Sequence, residues 1–175
     1  MNEQSGAGTA TSEPAAMSAP ELQIFLDRLR REQRLGVGTL AGAVAALVGA
    51  GLWAVITAAT EYQIGFMAIG VGVLVGFAMR YVGKGIDQIF GVIAALLSLL
   101  GCALGNLFTA VYFIAQASGV GFMDILAGLN FDLIVSVMVE MFSPIDIAFY
   151  AIAVYFGYKY AFRPITEADL RGTGA

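Results

Sequence analysis

The residues with most chemical capacity in this otherwise apolar chain are Asp132, Ser136 and Glu140. They are spaced i, i+4 and i+8, so on a helix they form one narrow polar stripe. Paired carboxylates suit general acid–base work, and the same stripe would suit a cation, a partner or a lipid headgroup. The simpler role is the water-facing side of a helix lying on a membrane. A second polar row, Ser98, Cys102 and Asn106, also runs at four-residue steps, within a long apolar run. An amide in that setting needs partners. It serves more often as interhelical glue than as a ligand for a substrate or ion, and no acid or base accompanies it. Arg80 continues the line of Ala68, Gly72 and Gly76, which would turn its charge into the bundle toward Asp87 or a helix end; the alternative is snorkelling to the nearby interface.

Other chemistries lack their ligands. Histidine is absent and Cys102 is the only cysteine, which removes the commonest ligands for zinc, copper, haem and iron–sulfur clusters. No metal and no cofactor are expected. Without a histidine to activate it, Cys102 reads as a small buried hydrophobe and not a nucleophile. The segment Gly83-Lys84-Gly85-Ile86-Asp87 has neither the spacing nor the hydroxyl of a phosphate-binding loop and reads as a tight turn whose glycines supply positive φ.

The elements that must hold these residues are membrane helices. Hydrophobic residues make up 59% of the chain and charged ones 13%, with a mean hydropathy of +0.81, too little polar surface to coat a soluble globule. Apolar runs define spans over about 35–60, 64–82, 89–117 and 145–162. Trp53 is expected in the headgroup layer near the end of the first. The short Glu61-Tyr62-Gln63 link makes spans one and two an antiparallel hairpin. Residues 118–143 are apolar but broken by Gly119, Gly121, Gly128 and Asn130 into pieces too short to cross, so they are expected to lie in the interface or to re-enter it. Ser143-Pro144-Ile145-Asp146 is a serine cap, a first-turn proline and a first-turn acid, which together start the last span; its tyrosines Tyr150, Tyr155, Tyr158 and Tyr160 read as packing residues and interface anchors.

Ahead of the spans, residues 1–17 are nearly free of large side chains and read as a disordered tail. They contain Glu3 and Glu13 but no base, and the apolar run begins too late for a cleavable signal peptide. Residues 18–34 open with a capping box at Ser18 and Glu21 and place Leu22, Phe25, Leu26 and Leu29 on one face. This helix ends in Arg28, Arg30, Arg31 and Arg34, suited to an anionic membrane surface or simply to fixing insertion. Residues 164–175 form a short polar tail.

Every lysine and arginine falls in the N-terminal flank, at Arg80 and Lys84, or at Lys159, Arg163 and Arg171. The intervening turns carry Glu61, Asp124, Asp132, Glu140 and Asp146 without a base, so the positive-inside rule puts both termini in the cytoplasm. Small residues at Gly38, Gly42, Ala46 and Ala50, at Ala68, Gly72 and Gly76, and at Gly101 and Gly105 provide close-packing faces, for the chain's own helices or for a second copy.

The stretches Tyr62–Gly72 (YQIGFMAIGVG), Phe90–Ala94 (FGVIA) with Leu99–Cys102 (LLGC), and Phe142–Asp146 (FSPID) resemble a family of uncharacterised bacterial four-span membrane proteins over about residues 35–163. The resemblance implies a bacterial inner membrane but no activity and no catalytic residue. Some members look as though a zinc-ribbon-like module precedes the spans; this N-terminus has no ligands for one. The expected fold is therefore all-α: a four-helix transmembrane bundle with an N-terminal juxtamembrane amphipathic helix and an outer interfacial segment. The expected role is a non-enzymatic accessory or scaffolding subunit that docks through its small-residue faces and its outer helix. The alternative is a small oligomeric channel or transporter for an ion or lipid-like solute, with Asn106, Arg80 and the acidic stripe on its path. Partners are the lipid bilayer and other membrane subunits or further copies, not nucleic acid.

Overall fold

The computed structural model describes residues 18–62 and 65–166. The expected disordered tail over residues 1–17, Gln63, Ile64, Arg171 and most of the C-terminal tail lie outside the described residues. The described residues are all-α, with seven helices among them: α1 Ala19–Glu32, α2 Leu35–Thr60, α3 Phe66–Gly83, α4 Gln88–Ser118, α5 Phe122–Ala127, α6 Phe131–Met141 and α7 Pro144–Tyr160. Three of them, α2, α3 and α4, are each long and apolar enough to cross a membrane. The α6–α7 pair passes the same test only when taken together, and it is bent by 102°.

Local chemistry sets the boundaries. Glu21 accepts from the backbone and hydroxyl of Ser18 at 2.8 and 2.7 Å, closing the start of α1. These two bonds, the hydroxyl's first, hold the Glu21 carboxyl below its usual range. Gly119, at φ 67°, stops α4 in the left-handed conformation that glycine tolerates best. Asn130 caps α6 by accepting from the Leu133 amide at 2.8 Å. Asp146 accepts from the Ser143 amide at 2.9 Å and is itself buried at the first turn of α7. The α3–α4 turn departs from expectation. Lys84, not a glycine, takes the left-handed conformation, at φ 50°. Gly83 and Gly85 are small for a different reason: a Cβ on either would strike the Phe90 ring.

Packing register gives the helix directions. Gly38 lies on Gly83 and Gly49 on Val71, so α2 and α3 are antiparallel; Ala46 meets Gly101 and Trp53 meets Gly105, so α2 and α4 are parallel. Gly72 lies against Ala153, and Gly76 against Gly157 and Tyr160, which makes α7 parallel to α3. Ser98 meets Gly157 and Asn106 meets Tyr150, which makes α7 antiparallel to α4. Thus α7, with 17 residues, runs beside the 18-residue α3 over nearly its whole length. The last turns of α4 extend past the ends of α2 and α3, and α5 and α6 pack on this extension.

Lipid chains are as apolar as leucine, so close approach and hydrogen bonding must hold these helices together, not exclusion of water. All six glycines singled out from the sequence are used within the chain. A Cβ would lie 2.8 Å from the Gly83 Cα if placed on Gly38, 2.9 Å from Leu97 on Gly42, 2.8 Å from Tyr160 on Gly76, 2.7 Å from Val71 on Gly101 and 2.8 Å from Trp53 on Gly105. On Gly72 it would drive into the Ala153 carbonyl. Trp53 is only 1% exposed, filling the space that Gly105 leaves open, and is not the headgroup anchor its position near the end of the span suggested.

Gly70 and Gly72 offer a controlled comparison, since a Cβ on Gly70 meets nothing within 4 Å. Gly72→Ala is expected to destabilise the protein by about 1–3 kcal/mol, the usual cost of overpacking, because a backbone carbonyl cannot move aside. Gly70→Ala is expected to be neutral or mildly stabilising. Thermal unfolding of both variants in one detergent checks this.

Candidate functional site

The polar residues fall into three places: a row inside the bundle, the acidic end with α5 and α6, and the basic end with the α1–α2 junction.

Inside, Ser98, Cys102 and Asn106 share one buried face of α4. Ser98 Oγ donates back to the Ala94 carbonyl at 2.7 Å, Cys102 Sγ approaches the Ala68 carbonyl at 3.8 Å, and Asn106 Nδ2 donates to the Tyr150 hydroxyl at 2.5 Å. The first of these stays within α4, whereas the Cys102 and Asn106 contacts tie α4 to α3 and α7, so the Asn106 amide bridges two helices. On the facing side of α2, Trp53 Nε1 and Thr57 Oγ1 are buried without a hydrogen-bond partner. The rest of the interior is filled by Val71, Val75, Met79 and Phe90.

At the acidic end, α6 presents three stripes. Ile134, Val137, Met138 and Met141 are half-buried on the side toward α4; Phe131, Val135, Val139 and Phe142 form an exposed apolar row; Asp132, Ser136 and Glu140 form an exposed polar row. The row predicted from the sequence is therefore real, but its members do not converge on one site. Glu140 borders a cavity of about 240 Å³ with Ala110, Phe113, Ile114, Val137 and Met141, which Asp132 and Ser136 do not line. A larger apolar groove of about 680 Å³ lies between α2, α4 and α5, bordered by Gly51, Val55, Ala58, Phe108, Tyr112 and Phe122. Among the described residues, no three of His, Cys, Asp and Glu gather to hold a metal ion.

The basic end collects every described lysine and arginine. Arg80 does not meet Asp87. That carboxylate is taken by Arg30 at 3.4 Å and by Gln33 at 2.8 Å, because the junction between α1 and α2 lies over the α3–α4 turn. Gln33 was not marked by any sequence pattern, yet it is the main clamp. Its Oε1 accepts from the Ile86 and Asp87 amides at 3.0 and 3.2 Å while its Nε2 donates to the Asp87 side chain. Two backbone bonds add to it: the Arg34 amide to the Gly83 carbonyl at 2.9 Å, and the Arg163 amide to the Gly85 carbonyl at 2.8 Å. Arg163 also pairs with Glu32 at 2.9 Å. Two chain segments distant in sequence, the α1–α2 junction and the end of α7, are thus fastened on one turn. The remaining pairs, Arg28 with Glu32 and Arg30 with Asp27, lie along the exposed side of α1, where such pairs contribute little. Arg31 and Arg34 are exposed. Within α1, Phe25 and Leu29 are buried, whereas Leu22 is 45% exposed, so the apolar face is narrower than its periodicity implied.

The chain matches no family model, no curated protein and no solved structure.

Gln33→Ala removes the acceptor of two turn amides and the donor to Asp87, and is expected to cost about 1–3 kcal/mol. Gln33→Glu keeps the acceptor but sets a second carboxylate beside Asp87, so it is expected to cost at least as much. Hydrogen exchange at the Ile86 and Asp87 amides should accelerate in both variants while amides of the α4 interior stay protected.

Proposed function

We propose that this protein is a non-enzymatic accessory or scaffolding subunit of a bacterial inner-membrane assembly. In this reading α2, α3, α4 and α7 all cross the membrane, both termini are cytoplasmic, and α5–α6 is an outer platform on which another membrane protein docks. The observation that carries the proposal is α6: an apolar helix with no buried residue, packed mainly on α4, which leaves Phe131, Val135 and Val139 exposed in a row beside an acidic stripe.

The charge pattern supports the sidedness. The described bases gather where α2 begins and α7 ends, and Glu61, Asp124, Asp132, Glu140 and Asp146 gather at the other end. The glycines of the small-residue faces are occupied by neighbouring helices, which leaves the outer helix as the docking surface. A pore through one bundle gains no support from a core filled by Trp53, Val71, Val75 and Met79, nor from an Asn106 committed to Tyr150. The partner that fits α6 is a transmembrane helix with apolar flank and basic residues at its outer end, complementary to Asp132 and Glu140.

Site-specific photo-crosslinking in native membranes tests this. A probe at Val139 is expected to give a discrete protein adduct, and one at lipid-facing Leu40 is not. Reversing charge with Asp132→Lys and Glu140→Lys is expected to lower the Val139 adduct about tenfold, equivalent to about 1.4 kcal/mol. Diffuse labelling at Val139 matching that at Leu40 would count against the docking platform.

A further inference from the structure

We propose that the cleft between the C-terminal ends of α3 and α7 is a binding site for the phosphate-bearing headgroup of an anionic phospholipid. The cleft has a volume of about 310 Å³ and is lined by Arg80, Tyr81, Lys84, Arg163, Pro164 and Thr166. At about 30 Å³ per water molecule, this is roughly ten waters of liquid volume, room for a phosphoglycerol group.

Among the described residues, three cations and no carboxylate line this cleft. Their charges are unequally compensated. Arg163 is held by Glu32 and by its own amide on Gly85, which fixes its position. Arg80 and Lys84, one helical turn apart at the end of α3, have no carboxylate within 4 Å among the described residues; the guanidinium of Arg80 rests 5.8 Å from the Tyr81 ring centre. Asp87, the nearby acid in the same turn, is already taken by Arg30 and Gln33. Like charges gathered around one concavity repel each other, and an anion placed between them removes that repulsion. Arginine adds a planar donor fork matched to phosphate oxygens, and Lys84 adds a point charge.

An aromatic seam identifies the source of the phosphate. Phe77 stacks on Tyr160 at 5.0 Å, Tyr160 on Phe156 at 5.6 Å, and Phe77 leans on Tyr81 at 6.0 Å. This ladder leads from the cleft up the seam of two bundle helices, and Tyr81 at its foot is 71% exposed. A ligand that satisfies both parts has an anionic head and apolar chains. Basic pockets between helix ends on the cytoplasmic side suit anionic lipid headgroups in general.

The test is native mass spectrometry of the full chain in mild detergent, titrated with phosphatidylglycerol, phosphatidylcholine or inorganic phosphate. One phosphatidylglycerol is expected to be retained per chain in preference to phosphatidylcholine. Affinity should fall about fivefold for Lys84→Gln and more for Arg80→Gln with Lys84→Gln, given the usual weight of one cation near an anionic surface. The exposed Lys84→Gln variant, with its melting temperature checked, keeps the test valid if the double variant folds poorly. Arg31→Gln with Arg34→Gln removes equal charge from the α1–α2 junction and is expected to leave affinity within twofold. Equal losses in both pairs, equal retention of the two lipids, or an unchanged Lys84→Gln affinity would overturn the site. Displacement of the lipid by inorganic phosphate at equal concentration would overturn the assignment to a lipid.

Discussion

The helix bundle depends on how closely its helix backbones can approach where no hydrophobic force drives them together. In water, burying a leucine row would suffice to hold α7 in place; among lipid chains it gains almost nothing. What seats α7 is the absence of side chains at Gly72, Gly76 and Gly157, which lets carbonyls and Cα atoms of facing helices touch, together with one interior hydrogen bond from Asn106 to Tyr150. Such contacts act only at one register. A shift of α7 by one residue would replace Ala153 with a larger side chain opposite Gly72, so the same small residues that stabilise the bundle also specify it.

The two ends of the bundle are built on different principles. The basic end is a knot of polar bonds, in which the Gly83–Asp87 turn receives Gln33, Arg30, Arg34 and Arg163 from two other segments. It fixes where α1 leaves the bundle and where α7 ends. The acidic end is loosely covered: α5 is six residues long, α6 packs mainly on α4, and neither contains a buried residue. Few buried contacts mean little local stability, which suits a segment completed by another surface.

The sequence disclosed those parts whose causes lie within a single helix. Apolar length, the caps at Ser18 and Ser143, the breaks at Gly119 and Asn130 and the i, i+4 rows of Asn106 and Glu140 all follow from local sequence. What it hid depends on pairs of helices. Trp53 resembles an interface anchor until Gly105 is set opposite it and turns it into core. Arg80 has Asp87 only seven residues on, yet the junction of α1 and α2 claims that acid first. Gln33 sits between two helices with no pattern around it, and its role emerges only once the α3–α4 turn is seen against it. The glycines of that turn looked like conformational devices, whereas Phe90 requires their size and Lys84 takes the positive φ.

Whether α7 crosses the membrane as the parallel neighbour of α3 is the central claim, and sidedness of labelling measures it most directly. Single cysteines introduced by Ser136→Cys and by Thr166→Cys, with buried Cys102 left in place, would be treated with a membrane-impermeant maleimide in intact and in permeabilised cells. The account predicts that position 136 reacts in intact cells and position 166 only after permeabilisation. Reaction of both positions from the same side would show that α7 does not cross, and would contradict the four-span bundle.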